Sequence, residues 1–311
     1  MVEHDRGTRG VTAAALPLKF QIGARTLWSV RRWLVRVPLS LADALSDRAR
    51  RLPPLPQGAD GYLITSLPQS EMAGLAGDGL LAFPRQRYTR HYADLSGGFD
   101  RYWASLSANT RSSLKRKAKR VAAASGGALA VRRFRTPDEL DTFHRAARIV
   151  SARTYQERLL DSGLPSSDAF LRTMHDLAAA DRVRAWLLDI GGEPAAYLYC
   201  PADGDTLLYQ YVGHDPAHAE LSPGSVLQME ALRDLFDEAR FARFDFTEGE
   251  GQHKRSFATD GIDCVDLLLL RPTLANRAIV GALAAFDGLM ALAKRGVAQA
   301  GLGKLAKRLR R

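Results

Sequence analysis

The sequence predicts an α/β fold built on a mixed, mostly antiparallel sheet. Three observations carry that expectation. Strand-like and helix-like patterns alternate from residue 128 to 270, Gly191–Gly192 and Asp203–Gly204 mark tight turns between successive strands, and no repeat recurs at a period of roughly 20–50 residues. At 311 residues, with 46% hydrophobic and 25% charged residues, the chain is long and apolar enough to bury a core. Disordered, collagen-like and small disulfide-stapled classes are excluded.

The elements are expected in the following order. Residues 1–59 read as a basic amphipathic extension. LWSVRRWLVRVPLSLADAL mixes Trp28 and Trp33 with Arg31, Arg32 and Arg36, as interfacial helices do, and Pro53, Pro54 and Pro56 then form an extended linker. Residues 60–127 form the first half of the folded module. GYLITSL is a strand, and LLAFPRQRYTRHYADL is strand and turn broken at Pro84. The stretch 99–124 reads as one helix, because Trp103, Leu106, Thr110, Leu114, Ala118 and Val121 recur at three- and four-residue steps. Its other side carries Arg111, Lys115, Arg116, Lys119 and Arg120, and Gly126 with Gly127 ends it.

Residues 128–272 carry the clearest alternation. ALAVRRF is a strand; Thr136, Pro137, Asp138 and Glu139 then supply an N-cap, a first-turn proline and early acids for a helix. A second helix opens at Ser167 and Asp168. VRAWLLDI, EPAAYLYC and TLLYQYV form a three-stranded meander, followed by the helix SVLQMEALRDLFDEA and the strands FARFDF and IDCVDLLLL. In 273–311, AIVGALAAFDGLMALA is shorter than a membrane span and carries Asp287, so it reads as a packing helix with a basic tail behind it.

The net charge of +10 is unevenly placed. Residues 136–293 hold 14 Lys and Arg against 25 Asp and Glu, whereas 101–135 and 294–311 hold 10 and 7 cations with no acid. An acidic module among basic segments argues against DNA as partner, since the cations lack interleaved aromatics. It suits phosphate-bearing small molecules and peripheral contact with an anionic membrane surface. Cys200 and Cys264 sit in apolar alternating runs without metal or redox spacing, so two buried thiols in a reducing cytoplasm are expected. Glu3 and Asp5 stand where a secretory leader needs cations.

Several motifs fail on spacing. Gly296, Gly301 and Lys304 miss the phosphate-loop pattern, and His214 and His218 flank Pro216, which breaks the helix a zinc pair would need. No metal site is expected. Two segments survive. LSPGSVLQ enters a helix whose first amides can hold phosphate oxygens. FDFTEGEGQHKRSF ends an apolar strand in Asp245, Glu248, Gly249, Glu250, Gly251, His253 and Lys254, more ionisable groups than packing requires and suited to proton transfer.

Four spaced segments, WASLSANTRSSLKRKAKR, YVGHDP, LSPGSVLQMEALRDL and FDFTEGEGQHKRSF, resemble the GNAT-type acyltransferases of the CelD/BcsL polysaccharide-biosynthesis group, relatives of the FemAB-like peptidoglycan aminoacyltransferases. The resemblance covers about residues 60–270. It implies a GNAT fold, with an N-terminal GNAT-like layer, in which acyl-CoA, acetyl-CoA in the first instance, lies between splayed strands. Its pyrophosphate would meet Leu221, Ser222, Gly224, Ser225 and Val226. Asp245, Gly249 and Lys254 match the family's later strand end, whereas His253 stands where tyrosine is common and the phosphate loop lacks the usual glycines.

Acyl transfer from a thioester needs a base for the acceptor and a donor to the leaving thiolate. Asp245, Glu248 and His253 are the candidate bases, Tyr211 or Tyr209 the donor, and Lys254 an anion contact; Arg111, Arg116, Gln210 and Gly249 are candidate acceptor contacts. The expected activity is transfer of an acyl group, other than an aminoacyl group, to a sugar or amine in cell-envelope or exopolysaccharide assembly, at the inner face of the membrane. Aminoacyl transfer and a non-catalytic binding subunit are the alternatives.

Overall fold

A computed structural model describes residues 12–22, 25–48, 50–75, 79–154, 163–249 and 251–299. Glu250 and the basic tail beyond residue 299 lie outside them. The chain divides into two compact units. One comprises Met1–Leu39, Asp43–Arg87 and Cys264–Arg311, the other Ser40–Ala42 and Tyr88–Asp263.

In the first unit, strands β1 (Ala13–Ile22) and β2 (Arg25–Pro38) form an antiparallel hairpin, and β2 runs parallel to β3 (Gly61–Pro68). β3 in turn pairs with β11 (Asp260–Leu270) in the register Leu268↔Leu63. The expected basic interfacial helix is therefore a strand. Its residues alternate as a strand's must: Val30 and Leu34 pack on one face with Leu18, Phe20 and the helix α9 (Leu274–Gln299), while Val35 and Val37 pack on the other. Two one-turn helices, α1 (Leu41–Ala44) and α2 (Met72–Leu75), follow in the chain. Pro84 sits inside a continuous strand, β4 (Leu81–Asp94), instead of breaking it. A proline ring suits extended backbone and removes only a donor.

In the second unit the strand order is β4, β10 (Arg243–Asp245), β8 (Thr206–Leu208), β7 (Glu193–Asp203), β6 (Val183–Ile190), β5 (Ala130–Phe134), with β9 (Tyr211–His214) also on β7. All pairs are antiparallel except β8 with β10. Helices cover both faces, which is why β6 and β7 read as nearly unbroken apolar runs. On one face Trp186, Leu188, Leu198 and Cys200 pack with Leu114 and Val121 of α4 (Ala108–Ala124) and Leu227, Leu232 and Leu235 of α7 (Pro223–Glu238). On the other, Leu187, Tyr197 and Tyr199 pack with Leu140, Phe143 and Val150 of α5 (Pro137–Arg153) and Met174 of α6 (Asp168–Ala179). The Thr136–Glu139 capping box forms as expected, and both cysteines are buried and free.

The helix expected over 99–124 is two, α3 (Phe99–Ser105) and α4. Ser107 makes the break: its side chain accepts from Thr110 N, a cap that competes with continuing the helix. Arg111 then donates to the carbonyls of Ala104 and Leu106 at 2.7 and 2.6 Å, which satisfies oxygens the break left over.

The meander is also modified. TLLYQYV is not one strand but β8 and β9, separated at Tyr209 and Gln210. The interruption reverses side-chain parity, so Leu207 and Tyr209 share a face with Val212, and Tyr211 turns to the opposite core. Gly213 allows β9 to lie close over Tyr197, because a Cβ there would be 2.5 Å from the tyrosine ring. Gly213→Ala is expected to cost about 1–3 kcal/mol by overpacking, measured as a lowered denaturation midpoint; an unchanged midpoint would show that Tyr197 yields freely.

Candidate active site

The break between β8 and β9 opens the sheet. Through Leu208 the strand pairs with β10, and Tyr209 N still donates to Asp245 O at 2.9 Å; beyond that point β9 is held by β7 alone among the described strands. Beside β9 lies a cavity of about 620 Å³, in the size range of small-molecule sites. Tyr209, Val212, Gly213 and His214 form one wall, Ser222, Gly224, Ser225 and Gln228 of the α7 N-terminus another, and His253 stands at its edge.

The α7 end of this slot departs from ordinary helix entry. Ser222 adopts φ 56°, ψ 51°, a left-handed conformation unfavourable for a residue with a Cβ, and its side chain makes no capping bond. Lys117 of α4 brings its ammonium to 3.4 Å from Ser225 Oγ, so a cation joins the positive end of the helix. One turn further in, Gln228 is 4% exposed and its Nε2 has no hydrogen-bond partner. A buried amide donor left unpaired costs about 1–3 kcal/mol, and a bound ligand acceptor would remove that cost. Of the other expected contacts here, Leu221 packs against the core and Val226 is buried within it.

A second, smaller groove of about 420 Å³ meets the slot at Ser225 and His253. Asn109, Thr110 and Ser113 of α4 and Ser256 of α8 (Gln252–Phe257) line it. His253 thus borders both spaces. Its ring centroid lies 6.1 Å from that of Tyr209. Burial, and secondly the Lys254 ammonium, hold its pKa below the ordinary 6.5, so the imidazole is neutral near pH 7 and able to accept a proton. Tyr209 is enclosed by Phe244, Phe246 and His253, and burial raises its pKa, which keeps the hydroxyl protonated.

Asp245 and Lys254, two other ionisable groups of FDFTEGEGQHKRSF, hold the loop together. Asp245 has 0% exposure and forms a buried ion pair with Arg90, Nη2 to Oδ2 2.6 Å, while its Oδ1 accepts from Thr247 N at 2.8 Å. A carboxylate so enclosed is not positioned to take a proton from an acceptor, and the expectation that it is a base is corrected on that ground. Thr247 sits at φ 60°, rare for a β-branched residue, and Gly249 at φ 90° completes the turn over open space. Lys254 Nζ donates to the Glu248 carbonyl at 2.6 Å, which makes it a clasp on the loop more than an anion contact. Burial lowers its pKa against the pull of Asp245 and Glu248.

Glu248 is exposed, and neither it nor Gly249 lines the slot or the groove. Tyr211 packs against Phe170 and Tyr199 on the far side of the sheet, a correction that follows from the strand break. Gln210 is exposed, its backbone amide turned to the Cys200 thiol. Arg111 is committed to backbone carbonyls, and Arg116 lies on the outer surface of α4 beside Lys119 and Arg120. The sequence pattern passes over two residues here, Gln228, hidden inside a helix pattern, and Lys117, while His214 stands out only as half of a rejected zinc pair. Of the two, only Lys117 left a signal, as a cation three residues after Leu114 on the edge of the apolar stripe.

Residues 108–255 match the family described as acetyltransferase (GNAT) domain. The chain carries a GNAT-fold domain. The match takes in α4, the splayed strands, the α7 N-terminus and His253, so the slot lies within it. Among solved structures, the C-terminal domain of a protein assigned as a lysylphosphatidylglycerol synthetase from Agrobacterium fabrum is similar to this chain at TM-score 0.50 and 12% identity. The likeness covers 73% of this chain and 72% of that one. FemX is similar at TM-score 0.49 and 10% identity, over 83% and 88% of the two chains. The Bacillus licheniformis L-PGS structure follows at 0.47 and 13%, over 72% of each. At these identities the similarity is one of fold. No curated protein matches the sequence. The match to a GNAT domain supports acyl transfer as the general class of reaction.

Proposed function

We propose that the GNAT domain transfers an acyl group, acetyl in the first instance, from acyl-CoA to a hydroxyl or amine of a hydroxyl-rich acceptor such as an envelope or exopolysaccharide sugar. The unpaired Nε2 of Gln228, a residue that lines the slot, carries the donor half of this reading: a buried donor with no internal partner matches a ligand rich in amide carbonyls. Lys117, with Ser222, Gly224 and Ser225 at the α7 N-terminus, fits the ligand's phosphates. The acceptor half rests on the groove, where Asn109, Thr110, Ser113 and Ser256 offer neutral hydrogen-bonding groups.

When bound, acyl-CoA would supply the thioester-activated acyl group. His253 takes the proton from the attacking acceptor atom, because it borders both spaces and is neutral near pH 7. Tyr209, which keeps its proton at Oη, is the hydroxyl on the slot side suited to donate toward a departing sulfur. Asp245 and Lys254 hold the loop that precedes His253.

Calorimetric titration with acetyl-CoA is expected to show binding, and Gln228→Leu to weaken it by roughly 10-fold, the loss of about one hydrogen bond. No binding at millimolar ligand would overturn the donor assignment. Tyr211→Phe should leave turnover unchanged, whereas Tyr209→Phe should lower it; the reverse order would exchange their roles. The exposed cations Lys115, Arg116, Lys119 and Arg120 on α4 favour a second reading, a polyanionic aminoacyl-tRNA donor. Competition by tRNA against acetyl-CoA in the same titration separates the two.

A further inference from the structure

The first unit leaves apolar surface uncovered at one end of its hairpin. Trp28 of β2 is 60% exposed although one side of its ring stacks on Phe20 of β1 at 5.0 Å. Phe20 meets Phe286 of α9 edge-on at 5.4 Å. Past Phe286 the helix continues with Leu289 and Leu292 at 61% and 63% exposure, and Ile22 and Leu27 flank the hairpin turn, also exposed. Ile279 and Leu283 are buried against Leu18 and Leu34, so α9 is anchored there, whereas Leu289 and Leu292 further along it are exposed. By length and composition, 274–293 could cross a membrane, and only 11% of that window is buried. A packing helix of a water-exposed unit would not normally present so much Ala, Gly and Leu to solvent.

The exposed charge on the elements that form this surface is mostly positive. Residues 12–42 contain five cations and no acid, and 294–311 contain seven cations and no acid. Lys19, Arg31, Arg36 and Arg295 are exposed. The acid on the intervening helix, Asp287, has Arg85 as its electrostatic partner. A second copy of this chain would set like charges against each other, which is unfavourable. An anionic lipid surface instead offers both requirements at once, a headgroup layer for the cations and an acyl boundary for Trp28 and the leucines.

We infer that the β1–β2 hairpin end and the second half of α9 dock the protein on the surface of an anionic bilayer, with Trp28, Leu289 and Leu292 entering the interface. The Asn276 side chain, buried and bonded to Arg32 Nε and the Arg271 carbonyl, ties the start of α9 to β2, so the helix lies on the membrane as part of the folded unit.

The test is co-sedimentation of the full chain with vesicles of phosphatidylcholine alone and with phosphatidylglycerol added. Binding is expected only with phosphatidylglycerol, should weaken as salt rises, and should be released without carbonate-resistant insertion. Trp28→Ser and Leu289→Ser should each lower the partition constant on the order of 10-fold, from the apolar area each side chain would bury. Both residues are exposed, so circular dichroism and acetyl-CoA affinity of the variants should stay as in the parent, which keeps this result separate from the catalytic reading. Equal binding to both vesicle types, indifference to the two substitutions, or a dimer in solution that Trp28→Ser dissociates would overturn the inference. Carbonate resistance would overturn it in favour of a span.

Discussion

Replacing His253 by alanine is expected to lower kcat by about 10²–10⁴-fold, the usual contribution of a positioned acid–base group, while acetyl-CoA affinity changes little. The residue stands where the slot and the hydroxyl-lined groove meet, and no other imidazole borders both among the described residues. The pH dependence supplies the sharper measurement. Burial and Lys254 both lower the His253 pKa, so kcat/KM in the parent should fall only as pH drops below the ordinary histidine value of 6.5. In His253→Ala that acid limb should vanish. Lys254→Met removes one of the two causes of the depression and should therefore shift the limb upward, toward 6.5. A limb that persists unchanged in His253→Ala would assign the proton transfer to another group.

The second large effect concerns stability. Arg90→Ala leaves the fully buried Asp245 carboxylate without its cation, and breaking such a pair from one side costs about 3–5 kcal/mol. Urea denaturation followed by circular dichroism reads the loss directly. Replacing both members, Arg90→Met with Asp245→Leu, should recover most of it, since a buried pair exchanged for apolar groups is often near neutral. The double variant should nonetheless remain slow in turnover, because Thr247 N loses the oxygen that holds its left-handed backbone in the loop before His253. Full activity in the double variant would show that the loop is shaped by something other than Asp245.

The regular parts of the fold were legible because their signals are local. Capping residues at Thr136 and Ser167, the glycine turn at 191–192 and the alternation of β6 and β7 each depend on neighbours a few positions away. The hairpin at 13–38 was not. Its arginines and tryptophans fit a basic amphipathic helix as readily as a strand, and the choice is made by pairing with β3, which no local pattern reveals. The site followed the same division. The strand end and the helix entry beside the slot were readable, but the surroundings of Asp245 and Tyr211 were not. One depends on Arg90, 155 residues away, and the other on a strand interruption that reverses the facing of every residue after it.

The pairing of β3 with β11 has a consequence for how the chain reaches this structure. The hydrogen bond from Ser66 N to Asp266 spans 200 residues, and the unit it belongs to is assembled from both ends of the chain. During synthesis β3 emerges long before its partner, whereas the segment from Tyr88 to Asp263 is local enough to fold as it appears. The hairpin and β3 thus wait with an open strand edge until β11 leaves the ribosome, a period in which a chaperone or premature strand pairing competes for that edge.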